Sequence, residues 1–267
     1  MNDNDVKIVF SDIDGTLLNS KGEVTPLTLE AIKLLQKKGI PFVLSSSRGP
    51  MAIKPIMQRY DFNCPMVSYG GALIVDDDGT VLYESGMEKE DVRPLIEFLD
   101  TLPLAWNIYT KNTWYVKDVH DERVKTEADY VRATPHVGNV DSLDDGPVVC
   151  KVLCMCVPGT ILDCEKAIRE RFPDISMAKS SDVLIEIMKS GINKAESVKR
   201  YCNIKNISIE DSMAFGDNYN DLEMLSIVGH PVVMGNAPQP IKDKFDNITD
   251  TNNNDGIRKA LEEFKII

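Results

Sequence analysis

Lys7-Ile8-Val9-Phe10-Ser11-Asp12-Ile13-Asp14-Gly15-Thr16 is the stretch that decides the fold. A short apolar run ends abruptly in two carboxylates and a glycine, which predicts a buried strand from Lys7 to Ser11. Asp12 and Asp14 stand two residues apart in extended chain, so both can face the same side. In an open α/β sheet, ligands bind beyond the carboxyl ends of the strands. Two carboxylates there can divide labour, one attacking an electrophile and the other moving a proton. The plainer alternative is a strand that closes in a tight Asp-Gly turn.

Working outward, Thr25 reads as an N-cap and Pro26 as the first residue of a helix. Leu29, Ile32 and Leu35 give that helix an apolar stripe, and Gly39 ends it. Ile40–Ser45 and Met66–Tyr69 read as further strands around a helix at Pro50–Tyr60. This βαβαβ run predicts a Rossmann-like parallel sheet covered by helices, an α/β fold. Asp76-Asp77-Asp78-Gly79 then marks a hairpin between Ala72–Val75 and Thr80–Tyr83.

From about Met87 to Met188 the pattern changes to α+β. Trp106–Tyr109 and Trp114–Val116 read as paired strands, Asp121–Tyr130 and Ile161–Phe172 as helices, and Val148–Val157 and Val183–Met188 as strands. After Met188 the βα alternation resumes with a helix at Asn193–Tyr201 and a strand at Met213–Phe215. A helix at Asp221–Leu225, a strand at Val232–Met234 and a helix at Asp255–Phe264 follow. The expected organisation is a discontinuous core, 1–86 and 189–267, with an α+β cap at 87–188.

Composition sets the outer limits. A net charge of −12 argues against a broad nucleic-acid or anionic-membrane footprint. No stretch of about 18 apolar residues suggests a membrane span. Met1-Asn2-Asp3-Asn4-Asp5 is acidic and polar, unlike a secretory leader, so a cytoplasmic location is expected. Six cysteines contain no C-x-x-C pair and read as small buried apolar groups in a reducing compartment. Cys150, Cys154 and Cys156 share parity and should lie on one face of the Val148–Val157 strand. His120, His136 and His230 lack ligand spacing. Trp106, Tyr109, Trp114 and Tyr115 read as cap core rather than a ring-stacking platform.

Three more segments carry chemistry. In Phe215-Gly216-Asp217-Asn218-Tyr219-Asn220-Asp221 a strand again ends in acids and amides, which can hold an oxygen-loving cation such as Mg²⁺. Lys194 opens a helix, where the macrodipole favours acids instead, a hint that its charge is used. Ser45-Ser46-Ser47-Arg48 ends the second strand with hydroxyls and amides suited to phosphate oxygens.

Taken in this order, the four segments resemble the haloacid dehalogenase superfamily of phosphatases, and more closely its Cof-type branch with a large α/β cap. The resemblance covers essentially the whole chain. It implies that Asp12 is a nucleophile forming an aspartyl-phosphate, and that Asp14 protonates the leaving oxygen and then activates water. It implies that Ser46 binds the transferring phosphoryl group, that Lys194 offsets its charge, and that Arg48 and Asn220 lie near the phosphate. Asp12, the backbone carbonyl of Asp14, and Asp217 would ligate Mg²⁺, supported by Thr16, Asp221 and Asn236, the last within the matching stretch Met234-Gly235-Asn236-Ala237. Relatives often carry Thr-Gly-Arg at Ser46-Ser47-Arg48 and Asn-Gly-Ala at Gly70-Gly71-Ala72. The first change keeps the hydroxyl; the second removes an amide and any contact it made.

The function implied is Mg²⁺-dependent hydrolysis of small phosphate monoesters, sugar phosphates foremost. The rivals are a phosphomutase or phosphotransferase on the same scaffold, and a catalytically silent binding protein. The expected partner is a small phosphate ester. A monomer is compatible with the sequence, which does not set the oligomeric state or name the substrate.

Overall fold

The first strand forms where the apolar run placed it. In the computed structural model, which describes residues 6–143, 146 and 148–267, β1 (Ile8–Ser11) is wholly buried. Met1–Asp5, on which the leader reading rests, lie outside the described residues. The chain continues through α1 (Pro26–Lys37), β2 (Phe42–Ser45), α2 (Pro50–Arg59), β3 (Met66–Ser68), β4 (Leu73–Val75) and β5 (Val81–Glu84). Next come β6 (Met87–Glu88), α3 (Lys89–Leu99), β7 (Leu104–Tyr109), β8 (Trp114–Val116), α4 (Glu122–Val131) and β9 (His136–Val137). These are followed by β10 (Val148–Val149), β11 (Lys151–Cys156), α5 (Ile161–Arg171), β12 (Ser176–Lys179) and β13 (Leu184–Met188). The last segment holds α6 (Lys194–Ile204), β14 (Ser212–Gly216), α7 (Leu222–Leu225), β15 (His230–Val233), α8 (Gln239–Lys242) and α9 (Gly256–Glu263).

The described residues form two compact units. One comprises the chain through Ser47, Ile56–Leu82 and Asn193–Ile267; the other comprises Arg48–Pro55 and Tyr83–Ile192. The expected insert 87–188 falls inside the second.

A seven-stranded sheet runs in the order β15-β14-β1-β2-β3-β4-β5. Its strands from β15 to β3 are parallel, and β4 runs antiparallel to β3. The central strands are buried, which explains why they read as continuous apolar runs rather than alternating ones. The Thr25 side chain accepts from the Thr28 amide at 3.3 Å and caps α1. Ala31, Ile32 and Leu35 are buried, with Leu29 half-buried beside them. Gly39 adopts φ +72° just past the helix end. The order places β1 in the middle, between β14 and β2, so the strand ends at Asp12, Asp217 and Ser46 are neighbours.

The second unit carries the six-stranded sheet β12-β13-β11-β7-β8-β9 and the small pair β10-β6. Helix α3 is absent from the sequence reading. Its apolar residues Val92, Leu95, Ile96 and Leu99 do follow helical spacing, but Pro94 interrupts the signal. These residues pack with Val152, Cys154, Cys156, Ile185 and Ile187 in one apolar cluster. Trp114 and Tyr109 stack at 5.4 Å, and Trp106, Tyr109, Trp114 and Tyr115 are all buried.

The expected strand Val148–Val157 is not continuous. It breaks at Cys150: β10 pairs with Met87 and Glu88, whereas Lys151 pairs with Tyr109. The break resets the alternation. Val149, not Cys150, joins Cys154 and Cys156 in the apolar cluster. All six cysteines are buried and none is in a disulfide. Burial pushes the thiol pKa of Cys64 and Cys156 up to about 12 and that of Cys202 to about 11.

Candidate active site

Two carboxylate loops meet at the carboxyl ends of β1 and β14, and glycines permit the approach. Gly15 sits at φ +85°, and a Cβ there would lie 2.2 Å from an Asp217 oxygen. A Cβ on Gly216 would lie 2.6 Å from the Asp221 Cβ. Asp12 is held in place by its own amide, which donates to the Phe215 carbonyl at 3.0 Å. Thr16 Oγ1 donates to Asp217 Oδ1 at 2.7 Å. Thr16 therefore ties the first loop to the second rather than bracing the first alone. Asn236 Nδ2 donates to the Gly15 carbonyl at 2.8 Å and reaches Asp217 Oδ2 at 3.4 Å.

Lys194 is the first residue of α6, where the Asn193 side chain caps the helix by accepting from the Glu196 amide at 2.8 Å. The cap fixes the helix start and with it the lysine. Lys194 Nζ donates to Asp12 Oδ1 at 2.6 Å and to Asp221 Oδ1 at 2.7 Å, and all three residues are buried. Asp221 Oδ2 accepts from the Asp217 and Asn218 amides at 3.0 and 3.1 Å. Both Asp221 oxygens are thus occupied in supporting Lys194 and the Asp217 loop.

Electrostatics follow from this packing. Burial and the Asp221 charge raise the Asp12 pKa well above the carboxylate range, with Lys194 opposing. Burial works against the Lys194 charge, but Asp12 and Asp221 outweigh it and raise its pKa. Burial also lifts Asp217 to about 6, despite the Thr16 hydrogen bond.

Carboxylate oxygens of Asp12, Asp217 and Asp221 lie within 4.8 Å of one another. Three acids against the single lysine that bridges two of them leave two uncompensated negative charges when all are ionised. A close, all-oxygen donor set with excess negative charge fits a hard divalent cation such as Mg²⁺. The side chain of Asp14 is not one of the three.

The site gathers Asp12, Thr16, Lys194, Asp217, Asp221 and Asn236 through these bonds. Ser46 is buried at the end of β2, its amide donating to Val67 and its carbonyl accepting from Gly70, both at 2.9 Å. Asn220 is exposed in the Asp217 loop. Arg48 belongs to the second compact unit, where its guanidinium lies 5.0 Å from the Tyr130 ring centroid.

Sequence reasoning missed the residues that seat α6. Tyr69, Gly70 and Gly71 all have positive φ, at 52°, 61° and 121°. Glycine tolerates the left-handed region, and so would the asparagine that the family resemblance implies at Gly70. Ser197 Oγ donates to the Gly71 carbonyl at 2.8 Å. A Cβ on Gly71 would lie 2.4 Å from that Oγ and 2.6 Å from the Asn193 carbonyl. Gly71→Ala should therefore displace the start of α6, next to Lys194. A loss of about 2 kcal/mol in urea unfolding is expected, with kcat down about tenfold. Unchanged values for both would show that the turn does not seat the helix.

The comparisons with known proteins agree with this geometry. A family profile described as haloacid dehalogenase-like hydrolase matches residues 9–261. A Haemophilus influenzae protein assigned as a phosphatase is 34% identical over 258 residues, covering 96% of this chain and 97% of its own. The 5-amino-6-(5-phospho-D-ribitylamino)uracil phosphatase YitU of Bacillus subtilis is 27% identical, covering 96% of this chain and 97% of its own. A haloacid dehalogenase-like hydrolase from Bacteroides thetaiotaomicron superposes with a TM-score of 0.89 at 29% identity, over 98% of this chain and 99% of that one. Among the described residues, no helix is long and apolar enough to cross a membrane. The chain belongs to the haloacid dehalogenase-like hydrolases, in their Cof-type branch, and it is a phosphatase.

Proposed function

We propose that the chain hydrolyses small phosphate monoesters, sugar phosphates foremost, through an aspartyl-phosphate on Asp12, with Mg²⁺ as cofactor. The observation that carries this reading is the buried pairing of Asp12 with Lys194 at 2.6 Å inside the carboxylate cluster. A carboxylate nucleophile must be ionised and aimed, and the lysine opposes the burial that would protonate it.

Asp12 attacks phosphorus while the bond to the leaving oxygen breaks. Asp14 gives that oxygen its proton and then takes one from water. The water attacks the same phosphorus, releases inorganic phosphate and restores Asp12. Ser46 donates to a phosphoryl oxygen, and Lys194 offsets charge on the equatorial oxygens. Asp12, the Asp14 carbonyl and Asp217 would hold Mg²⁺, which when bound supplies the positive charge that one lysine cannot. The need is large: a phosphate charge about 4 Å from a carboxylate is repelled by roughly 4 kcal/mol at an effective dielectric of about 20. The name of YitU, which specifies a phosphorylated ribityl compound, supports a polyol or sugar phosphate.

Phosphate release across a panel of sugar phosphates tests the reading. Turnover is expected with Mg²⁺, none in excess chelator, and full recovery when the ion returns. Ca²⁺ should substitute poorly, since its looser coordination disturbs the attack geometry. Undiminished turnover in excess chelator would overturn the proposal. The pH dependence has a definite sign. Asp217, lifted to about 6, must lose its proton to bind a cation. The Mg²⁺ concentration giving half-maximal rate should rise as pH falls below about 6 and level off above it.

A further inference from the structure

Ser45 ends β2, is wholly buried, and its hydroxyl has no hydrogen-bond partner among the described residues. Native proteins rarely leave such a group unsatisfied, because its lost hydration is then uncompensated. Its position in the sheet suggests what it serves. The parallel register pairs Phe10 with Val43 and ends with Ser11 beside Leu44; one residue further along each strand, the same spacing puts Asp12 next to Ser45. Residues side by side in a parallel pair face the same way, and alternate residues along a strand share a face. Phe10 meets the Tyr201 ring of α6 at 6.1 Å, and Asp12, two residues on, meets Lys194 of the same helix. Ser45 therefore shares the α6 face with the nucleophile.

We propose that Ser45 is a positioning residue for Asp12, a donor that comes into use only as phosphoryl transfer proceeds. The proposal rests on the reading of Asp12 as nucleophile. In the resting site, Lys194 holds Asp12 Oδ1. When a carboxylate oxygen bonds to phosphorus and the ester oxygen leaves with the Asp14 proton, Asp12 loses its negative charge, Asp14 gains one, and the phosphoryl oxygens keep theirs. Lys194 then has no charge to hold on Asp12 and turns to the phosphoryl oxygens, which remain charged. The Asp12 oxygen that does not bond to phosphorus becomes the carbonyl of an acyl phosphate, and the Ser45 hydroxyl donates to it. The bond orients the acyl group until water breaks the phosphorus–oxygen bond and the carboxylate re-forms. A donor used in the transition state and intermediate, but not in the resting enzyme, acts on kcat and not on substrate binding.

The test is Ser45→Ala, with Ser45→Cys as a second variant that keeps the volume and donates only weakly. Both should lower kcat about tenfold, the effect of one modest hydrogen bond, with KM within about twofold of wild type. Ser45→Ala should also melt no lower than wild type, because it removes an unsatisfied hydroxyl; a rise of about 2–4 °C is expected. A purely structural hydroxyl predicts the reverse, a lower Tm with kcat intact. Either variant retaining kcat within twofold, or a Ser45→Ala protein melting below wild type, overturns the inference. Asp12→Asn, assayed alongside, keeps the two questions apart. If it is inert while Ser45→Ala is fully active, only the role of Ser45 falls; if it is active, the nucleophile reading falls as well.

Discussion

Asp12→Asn should abolish turnover, by at least about 10³-fold, and leave the protein folded. The amide keeps the shape of the carboxylate but cannot attack phosphorus. The fold should tolerate it, because burial already disfavours the Asp12 charge and Lys194 keeps its second partner, Asp221, at 2.7 Å. A melting temperature at or above that of the wild type is therefore expected together with the loss of activity. Phosphate release and a thermal melt on one preparation check both halves. Retention of a tenth of wild-type turnover would remove Asp12 from the nucleophile's role.

Lys194→Met should damage activity and stability together. It leaves Asp12 and Asp221 buried without the cation between them. Breaking a buried ion pair from one side typically costs about 3–5 kcal/mol. The loss should depend on pH in a known direction. Without the lysine, the Asp12 carboxyl is held still further above its unfolded pKa, so the folded protein binds a proton that the unfolded chain does not. Stability then rises as pH falls through the folded value. Urea melts at pH 8, 7 and 6 should show the deficit against wild type shrinking towards pH 6. A deficit independent of pH would mean that packing, not charge, is what the lysine supplies. Turnover should fall at least about 10³-fold at each pH, and Lys194→Arg should not restore it, because a planar fork cannot sit where an ammonium bridges two carboxylates.

What the sequence disclosed and what it hid divide along physical lines. The core strands were legible because a central parallel strand is buried on both faces and reads as an apolar run. Asp12, Asp217 and Lys194 were legible because each begins or ends an element where its charge is out of keeping with a bland role. Their supports were not. Gly71 and Ser197 act across 126 residues of chain through one hydrogen bond, and no local pattern announces such a pair. Thr16 could be placed beside the nucleophile, but its bond to Asp217 spans 201 residues. Cys150 was misassigned to a face because no glycine or proline marks the break between β10 and β11, which shifts the alternation by one residue. Helix α3 was missed for a smaller reason: Pro94 obscured an otherwise regular spacing.

The buried cysteines turn the molecule into its own reporter. A thiol reagent reacts with the thiolate, and burial holds the Cys64, Cys156 and Cys202 thiols protonated and covered. Labelling must wait for the surrounding structure to open, so its rate measures the opening equilibrium instead of intrinsic reactivity. Cys64 and Cys202 belong to one compact unit, and Cys150, Cys154, Cys156 and Cys164 to the other. Mass spectrometry of partly labelled protein can therefore time the loosening of each unit separately, with no engineered probe.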